Sequence, residues 1–185
     1  LLLFSAGCAS VKPVVEKKAA LNFGNYLSAP TNNPNVSLKY SGADEKAARN
    51  TARILDAILP AAQRWGKIAY PAEIIILPSH EALEEAVNRK NYEWLRAWTR
   101  FDVIYLQSPD TWKQKKPDDA LKELLLHELT HLVMYQNIGE KDTWADVDLP
   151  LWYREGMASV NASQGYRRMT LDEIRERLEK EPGLN

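Results

Sequence analysis

The chain of 185 residues is nearly neutral, with 24 Lys and Arg residues against 25 Asp and Glu residues and a formal net charge of −1. That balance argues against a broad basic surface, so no nucleic-acid partner is expected. Hydrophobic residues make up 45% of the chain and charged residues 26%, proportions that are typical of a globular domain. The single cysteine excludes an intramolecular disulfide and a cysteine-based zinc cluster within this chain.

The first residues have the pattern of an export signal. Residues 1–4 are apolar, and the small residues that follow lead to Cys8, which is how an apolar signal region meets its cleavage site. The Ala-Gly-Cys ending resembles a bacterial lipoprotein signal, which implies a lipid anchor on Cys8 and an exported protein of the bacterial cell envelope. The alternative is a buried strand or an unmodified thiol. We predict a signal remnant at residues 1–8 and a polar, flexible tether at residues 9–35.

Short apolar runs then predict strands in the first half of the domain. Residues 36–40 alternate apolar and polar side chains, residues 73–77 form a β-branched run, and residues 101–106 are rich in β-branched and aromatic side chains. Between the first two runs, residues 44–65 repeat apolar side chains at helical spacing. Pro60 is expected to kink or end that helix.

Helices are predicted to dominate the second half. A long one begins at Asp118 or Asp119 and runs to about residue 137, with Gly139 just beyond its end. Another begins near Pro150, and residues 170–173 match a capping box that opens a last helix. Strands followed by helices predict an α+β fold with a small mixed sheet packed on helices.

The strongest chemical signal is a His-Glu-x-x-His pattern inside the long helix, formed by His127, Glu128 and His131. At about 100° per residue the two histidines lie about 400° apart, one turn along the same helix face. Two such imidazoles suit one zinc ion, with Glu128 beside them as the base for a metal-activated water. A polar stripe without metal is the alternative, but the flanking leucines predict a buried helix, where these groups would be costly without a partner.

A catalytic zinc ion needs a third protein ligand. The extended motif with a third histidine is excluded, because Met134 and Asn137 stand where its Gly and His would be. The remaining histidine, His80, is expected to be a surface or capping residue.

Glu155 is the better candidate for the third ligand. It lies 24 residues after His131, in a predicted helix that can fold back antiparallel against the first. Gly156 and Ala158 are small, which would permit the two helices to pack closely.

Two segments carry a resemblance to a known family: His127-Glu128-x-x-His131 and Trp152-Tyr153-x-Glu155-Gly156-x-Ala158. Together they look like the gluzincin zinc metallopeptidases, and in particular the bacterial peptidase MA-like group. The resemblance covers roughly residues 36–181 and implies a zincin-like fold, with Glu155 as the third zinc ligand and Glu128 as the general base. Family members often continue past the last helix, so we expect the domain at residues 36–185 to be truncated at its C-terminus.

The chain departs from the family pattern at two points. Many gluzincins carry an Asp four residues after the ligand Glu, and here that place is Ser159, which leaves the partner that orients a ligating histidine open. Asp146 and Asp148 are candidates for that partner. Tyr153 and Tyr166 are candidates for holding the oxyanion, against a core or edge role for either.

These observations predict a zinc-dependent metallopeptidase that hydrolyses peptide bonds in a peptide or protein substrate. His127, His131 and Glu155 would hold the zinc ion and Glu128 would act as the general base. The alternative is a catalytically inactive zinc-binding module of the cell envelope that binds a partner. The only membrane attachment expected is the lipid anchor at Cys8.

Overall fold

The computed structural model describes residues 23–164 and 170–180, which form one sheet and five α-helices. The strands are β1 (Leu27–Pro30), β2 (Val36–Tyr40), β3 (Ala72–Leu77), β4 (Ala97–Thr99) and β5 (Val103–Gln107). The helices are α1 (Glu45–Ala62), α2 (His80–Val87), α3 (Pro117–Ile138), α4 (Leu151–Asn161) and α5 (Leu171–Lys180). The predicted α+β class is confirmed.

The sheet is mixed, with strand order β1-β2-β3-β5-β4. The three inner strands β2, β3 and β5 run parallel, and the two edge strands β1 and β4 run antiparallel to their neighbours. Strand β1 pairs with β2, with Leu27 opposite Tyr40. The sheet therefore begins inside residues 9–35, the segment that we predicted to be a flexible tether. This strand has four residues, is largely exposed and ends in Pro30, so it is too short for an alternating pattern to mark it as a strand.

Helices cover the two faces of the sheet unequally. One face carries Leu38, Ile74 and Ile104, and it packs against α1 and α3 in the larger core. The opposite face, represented by Ile75 and Tyr105, packs against α2 in a smaller core. This division follows from the two-residue period of a strand, which sends successive side chains to opposite faces. As a result α3, with its His-Glu-x-x-His pattern, and α2 lie on opposite sides of the sheet.

Helix α3 is the central helix of the larger core. It begins at Pro117, one residue before the predicted start, and Asp118 in its first turn accepts hydrogen bonds from Asn50 (2.8 Å) and Arg53 (2.8 Å) of α1. Its second half is buried on most sides, as the leucine flanks predicted. In α1, Pro60 lies in the last turn, where the helix continues to Ala62 before it ends.

The loop after α3 turns sharply and brings the chain back over that helix. A Cβ atom on Gly139 would lie 2.8 Å from the backbone of Trp144, so this close approach requires glycine. Trp144 in turn packs against Tyr135 of α3, with ring centroids 4.4 Å apart and the ring planes tilted by 35°. The loop is thereby held against α3, and α4 begins at Leu151, directly after Pro150.

The last described helix confirms the predicted capping box. The Thr170 backbone N–H donates to Glu173 Oε2 (2.8 Å), and the Glu173 N–H donates to Thr170 Oγ1 (3.2 Å). Among the described residues, no helix has both the length and the apolar character needed to cross a bilayer.

Candidate metal centre

Three side chains predicted as metal ligands meet at one point between α3 and α4. The Nε2 atoms of His127 and His131 lie 3.0 Å apart, and Glu155 Oε2 lies 3.4 Å from the first and 3.5 Å from the second. Atoms that bind one tetrahedral ion at about 2.0–2.1 Å are separated by about 3.3–3.4 Å. The two distances to Glu155 fit that value, and the distance between the nitrogens is somewhat shorter. Within residues 23–164 and 170–180, these three residues form the group whose ligand atoms are close enough to bind one metal ion. We call them the trio.

Helical periodicity and helix packing bring the three ligands together. The histidines lie one turn apart on α3, as their spacing predicted. On α4, Glu155 meets both histidines, and Asn161 Nδ2, further along the helix, donates to Thr130 Oγ1 (2.8 Å).

Ala158 is fully buried where the two helices touch, which confirms its predicted packing role. Gly156 was expected to serve the same purpose, and that expectation is wrong. A Cβ atom added to Gly156 would meet nothing within 4 Å, because this position points away from α3.

His127 has a partner that the sequence did not reveal. Its Nδ1 atom lies 2.7 Å from Oε1 of Gln164, a residue just beyond the end of α4. Sequence considerations offered Asp146 and Asp148 for this role, but both are exposed in the loop before α4. No motif marks Gln164, because its contact with His127 spans 37 residues.

His131 is more deeply buried than His127 and has fewer polar contacts. Its ring stacks on Tyr135, with 5.8 Å between centroids and 12° between planes. Its Nδ1 atom is buried and has no hydrogen-bond partner among the residues described. Burial raises the pKa of Tyr135 to about 12, so its phenol keeps its proton at neutral pH.

The predicted general base, Glu128, is buried beside the trio and is not one of its members. Its residue is 8% exposed, and its Oε2 atom accepts a hydrogen bond of 2.5 Å from Thr99 Oγ1. Thr99 is the last residue of edge strand β4, so the sheet edge holds the carboxylate from the side. This contact was also missed from the sequence, because it joins two elements 29 residues apart.

The histidines and Glu155 shift each other's proton affinities. Burial alone would raise the pKa of Glu155, but hydrogen bonds from His127 and His131 outweigh it and hold that pKa well below its ordinary value. Burial alone would lower the pKa of His127, but the hydrogen bond with Glu155 and the charges of Glu128 and Glu155 raise it. The two shifts have one cause: the carboxylate of Glu155 favours a proton on His127, and the imidazoles favour the ionised form of Glu155.

The other candidates lie outside this centre. His80 opens α2 on the opposite side of the sheet, with its Nε2 atom 3.6 Å from Glu84; it was expected at the surface or as a cap, but it is half-buried and the capping residue is Ser79. Tyr153 is half exposed and packs edge-on against Trp152, whose side chain is 76% exposed. Cys8, Tyr166 and the predicted signal remnant lie outside the described residues.

Comparisons of the chain with models of protein families, with curated proteins and with solved structures found no match in any of the three.

Proposed function

We propose that this chain is a zinc-dependent metallopeptidase of the gluzincin type, which hydrolyses peptide bonds in a peptide or protein substrate. One observation carries the proposal: two imidazole nitrogens and a carboxylate oxygen converge at 3.0–3.5 Å, and a second, buried carboxylate lies beside them. Two histidines and one glutamate form a ligand set of catalytic zinc sites. Three protein ligands also leave a coordination position for water or substrate, as catalytic sites require.

The residues present fit a zinc ion by chemistry as well as by distance. The Gln164 amide oxygen beside His127 Nδ1 favours a proton on that atom, which leaves the Nε2 lone pair directed at the trio. Glu155 Oε2 is already at bonding separation from both nitrogens for a tetrahedral centre. When bound, zinc would polarise the peptide carbonyl and lower the pKa of its water toward ~7.

Glu128 would move the protons of the reaction. Thr99 occupies Oε2 of its carboxylate, so we assign proton transfer to Oε1. There the carboxylate would accept a proton from the attacking water and then deliver it to the leaving amine nitrogen. Glu128 can do this without leaving its place, because Thr99 and the buried setting hold the carboxylate in one orientation.

The zincin-like fold and the cell-envelope location belong to the same proposal. The helix that packs against the His-Glu-x-x-His helix and carries Glu155 supports the first. The second rests on the sequence around Cys8, with its predicted lipid anchor.

The decisive experiment compares the wild-type protein with Glu128→Gln. Glutamine has the same shape and can still accept from Thr99, but its amide cannot take a proton. We expect about one equivalent of bound zinc in both proteins. Hydrolysis of a quenched fluorescent peptide library should fall by about 10²–10⁴-fold in the variant, the usual contribution of a general base.

Glu85→Gln is the matched control. It makes the same chemical change at an exposed position of α2, on the opposite side of the sheet from the trio, and should leave zinc content and hydrolysis unchanged. Absence of zinc from carefully prepared wild-type protein would refute the proposal. Bound zinc without turnover on any peptide would favour the inactive zinc-binding module instead.

A further inference from the structure

Gln164 stands at the end of α4, next to the candidate metal centre. Its amide oxygen can only accept a hydrogen bond, so the 2.7 Å contact from His127 Nδ1 requires the imidazole to carry its hydrogen on Nδ1. The Nε2 atom of His127 then has a lone pair, and it faces His131 Nε2 and Glu155 Oε2. Gln164 thereby selects the tautomer that can bind a metal through Nε2.

The way α4 ends places Gln164 at His127. Ser163 has a φ of 58°, in the left-handed region that non-glycine residues seldom adopt. The Ser163 N–H donates to Val160 O (3.2 Å) and the Gln164 N–H donates to Ser159 O (2.9 Å), which is the Schellman pattern of helix termination. The chain therefore reverses at Ser163, and the side chain that follows returns to α3.

His131 differs from His127 in the ring nitrogen that carries its hydrogen. The two Nε2 atoms are 3.0 Å apart, so one must donate and the other accept when both rings are neutral. With the hydrogen of His127 on Nδ1, His131 is the donor. To bind a metal through Nε2, His131 must move its hydrogen to Nδ1, which has no partner among the described residues. Gln164 therefore prepares one of the two imidazoles for metal before any metal arrives.

We propose that Gln164 is a positioning residue of the metal centre, held in place by the Schellman end of α4. It sets the tautomer and the ring orientation of His127, and it takes the role that Ser159, lying at the family's Asp position, does not fill. The proposal rests on the proposed function only in taking the trio to be a metal site. It does not depend on turnover. Loss of such a partner typically weakens metal binding by about 10–100-fold.

The test uses Gln164→Leu, which removes the acceptor, and Gln164→Glu, which restores one. Gln114→Leu is the control, because it makes the same change at an exposed position outside the site. Two quantities are measured. Nitrogen NMR shifts report the tautomer of His127 in the metal-free protein, at a pH where both imidazoles are neutral. Competition with a chromophoric chelator gives the zinc dissociation constant.

We expect the Nδ1–H tautomer in wild type and in Gln164→Glu, and its loss in Gln164→Leu. The zinc dissociation constant should rise by about 10–100-fold in Gln164→Leu and recover in Gln164→Glu. An Nε2–H tautomer of His127 in the wild-type protein would overturn the proposal, even if Gln164→Leu failed to fold. So would a change of less than about threefold in zinc affinity for a folded Gln164→Leu. If only the proposed peptidase function is wrong, no peptide is hydrolysed, but the His127 tautomer and the zinc dissociation constants still have the values expected here.

Discussion

Replacing Glu155 by glutamine tests whether this carboxylate of α4 is a metal ligand. The change keeps the size of the side chain and one oxygen that can face the two imidazoles, but it removes the negative charge. Glu155 is 48% exposed, so a neutral amide there remains hydrated and should leave the metal-free fold nearly intact. The free energy of unfolding without metal should change by less than about 1 kcal/mol, as for exposed ion pairs.

The expected loss of zinc affinity follows from the number of ligands. The free energy of zinc binding at structural sites with four ligands is about 10–16 kcal/mol. Divided equally, each ligand contributes about 2.5–4 kcal/mol. At about 1.4 kcal/mol for each factor of ten, losing one ligand weakens binding by about 10²–10³-fold. The glutamine oxygen still offers a neutral donor near both histidines. We therefore expect about 10²-fold, the lower end of that range.

Competition with a chelator gives the zinc dissociation constants that test whether Glu155 is a ligand. Thermal unfolding of the metal-free proteins, measured in parallel, tests whether the fold is unchanged. Glu85→Gln is the matched control, since Glu85 is an exposed helical glutamate on the opposite side of the sheet. It should bind zinc as wild type does. An affinity for Glu155→Gln within about threefold of wild type would refute the assignment of Glu155 as a ligand.

Two further predictions concern the charges around the trio and the support of Glu128. The pKa of Glu155 is lowered by folding, so this group stabilises the metal-free protein at pH values above 4.5, its pKa in the unfolded chain. The pKa of His127 is raised by folding, so this group stabilises the protein at pH values below 6.5, its pKa in the unfolded chain. Denaturant unfolding should therefore show this contribution at its fullest between those pH values, declining as the pH falls or rises beyond them, and Glu155→Gln should remove it. Thr99→Val should lower kcat by about 10–100-fold, because a hydrogen bond to a charged group is worth about 1.5–3 kcal/mol. The zinc affinity of Thr99→Val should equal that of wild type, and Thr99→Ser should have the wild-type kcat. Equal kcat values for Thr99→Val and wild type would contradict the role of Thr99.

Much of the fold was predictable because its signals are local. The buried strands β2, β3 and β5 show as apolar runs, and α3 shows as a leucine-rich helix that ends just before Gly139. The edge strand β1 was missed for a physical reason. Its pairing relies on backbone hydrogen bonds to β2, and exposed residues at an edge need no apolar pattern.

The sequence by itself determined the pair His127 and His131 and the neighbouring Glu128. Their relation depends only on the period of one helix, which any reader of the spacing can apply. The sequence also indicated Glu155 through its resemblance to the gluzincins, but it did not show where Glu155 lies relative to the histidines.

The tertiary structure alone decided how the site is completed. Glu155 reaches the histidines because Ala158 is buried against α3 and the loop after Gly139 folds back. Thr99 and Gln164 reach Glu128 and His127 across 29 and 37 residues. Such contacts are set by how separate elements pack, and helical or strand periodicity carries no information across the loops between them.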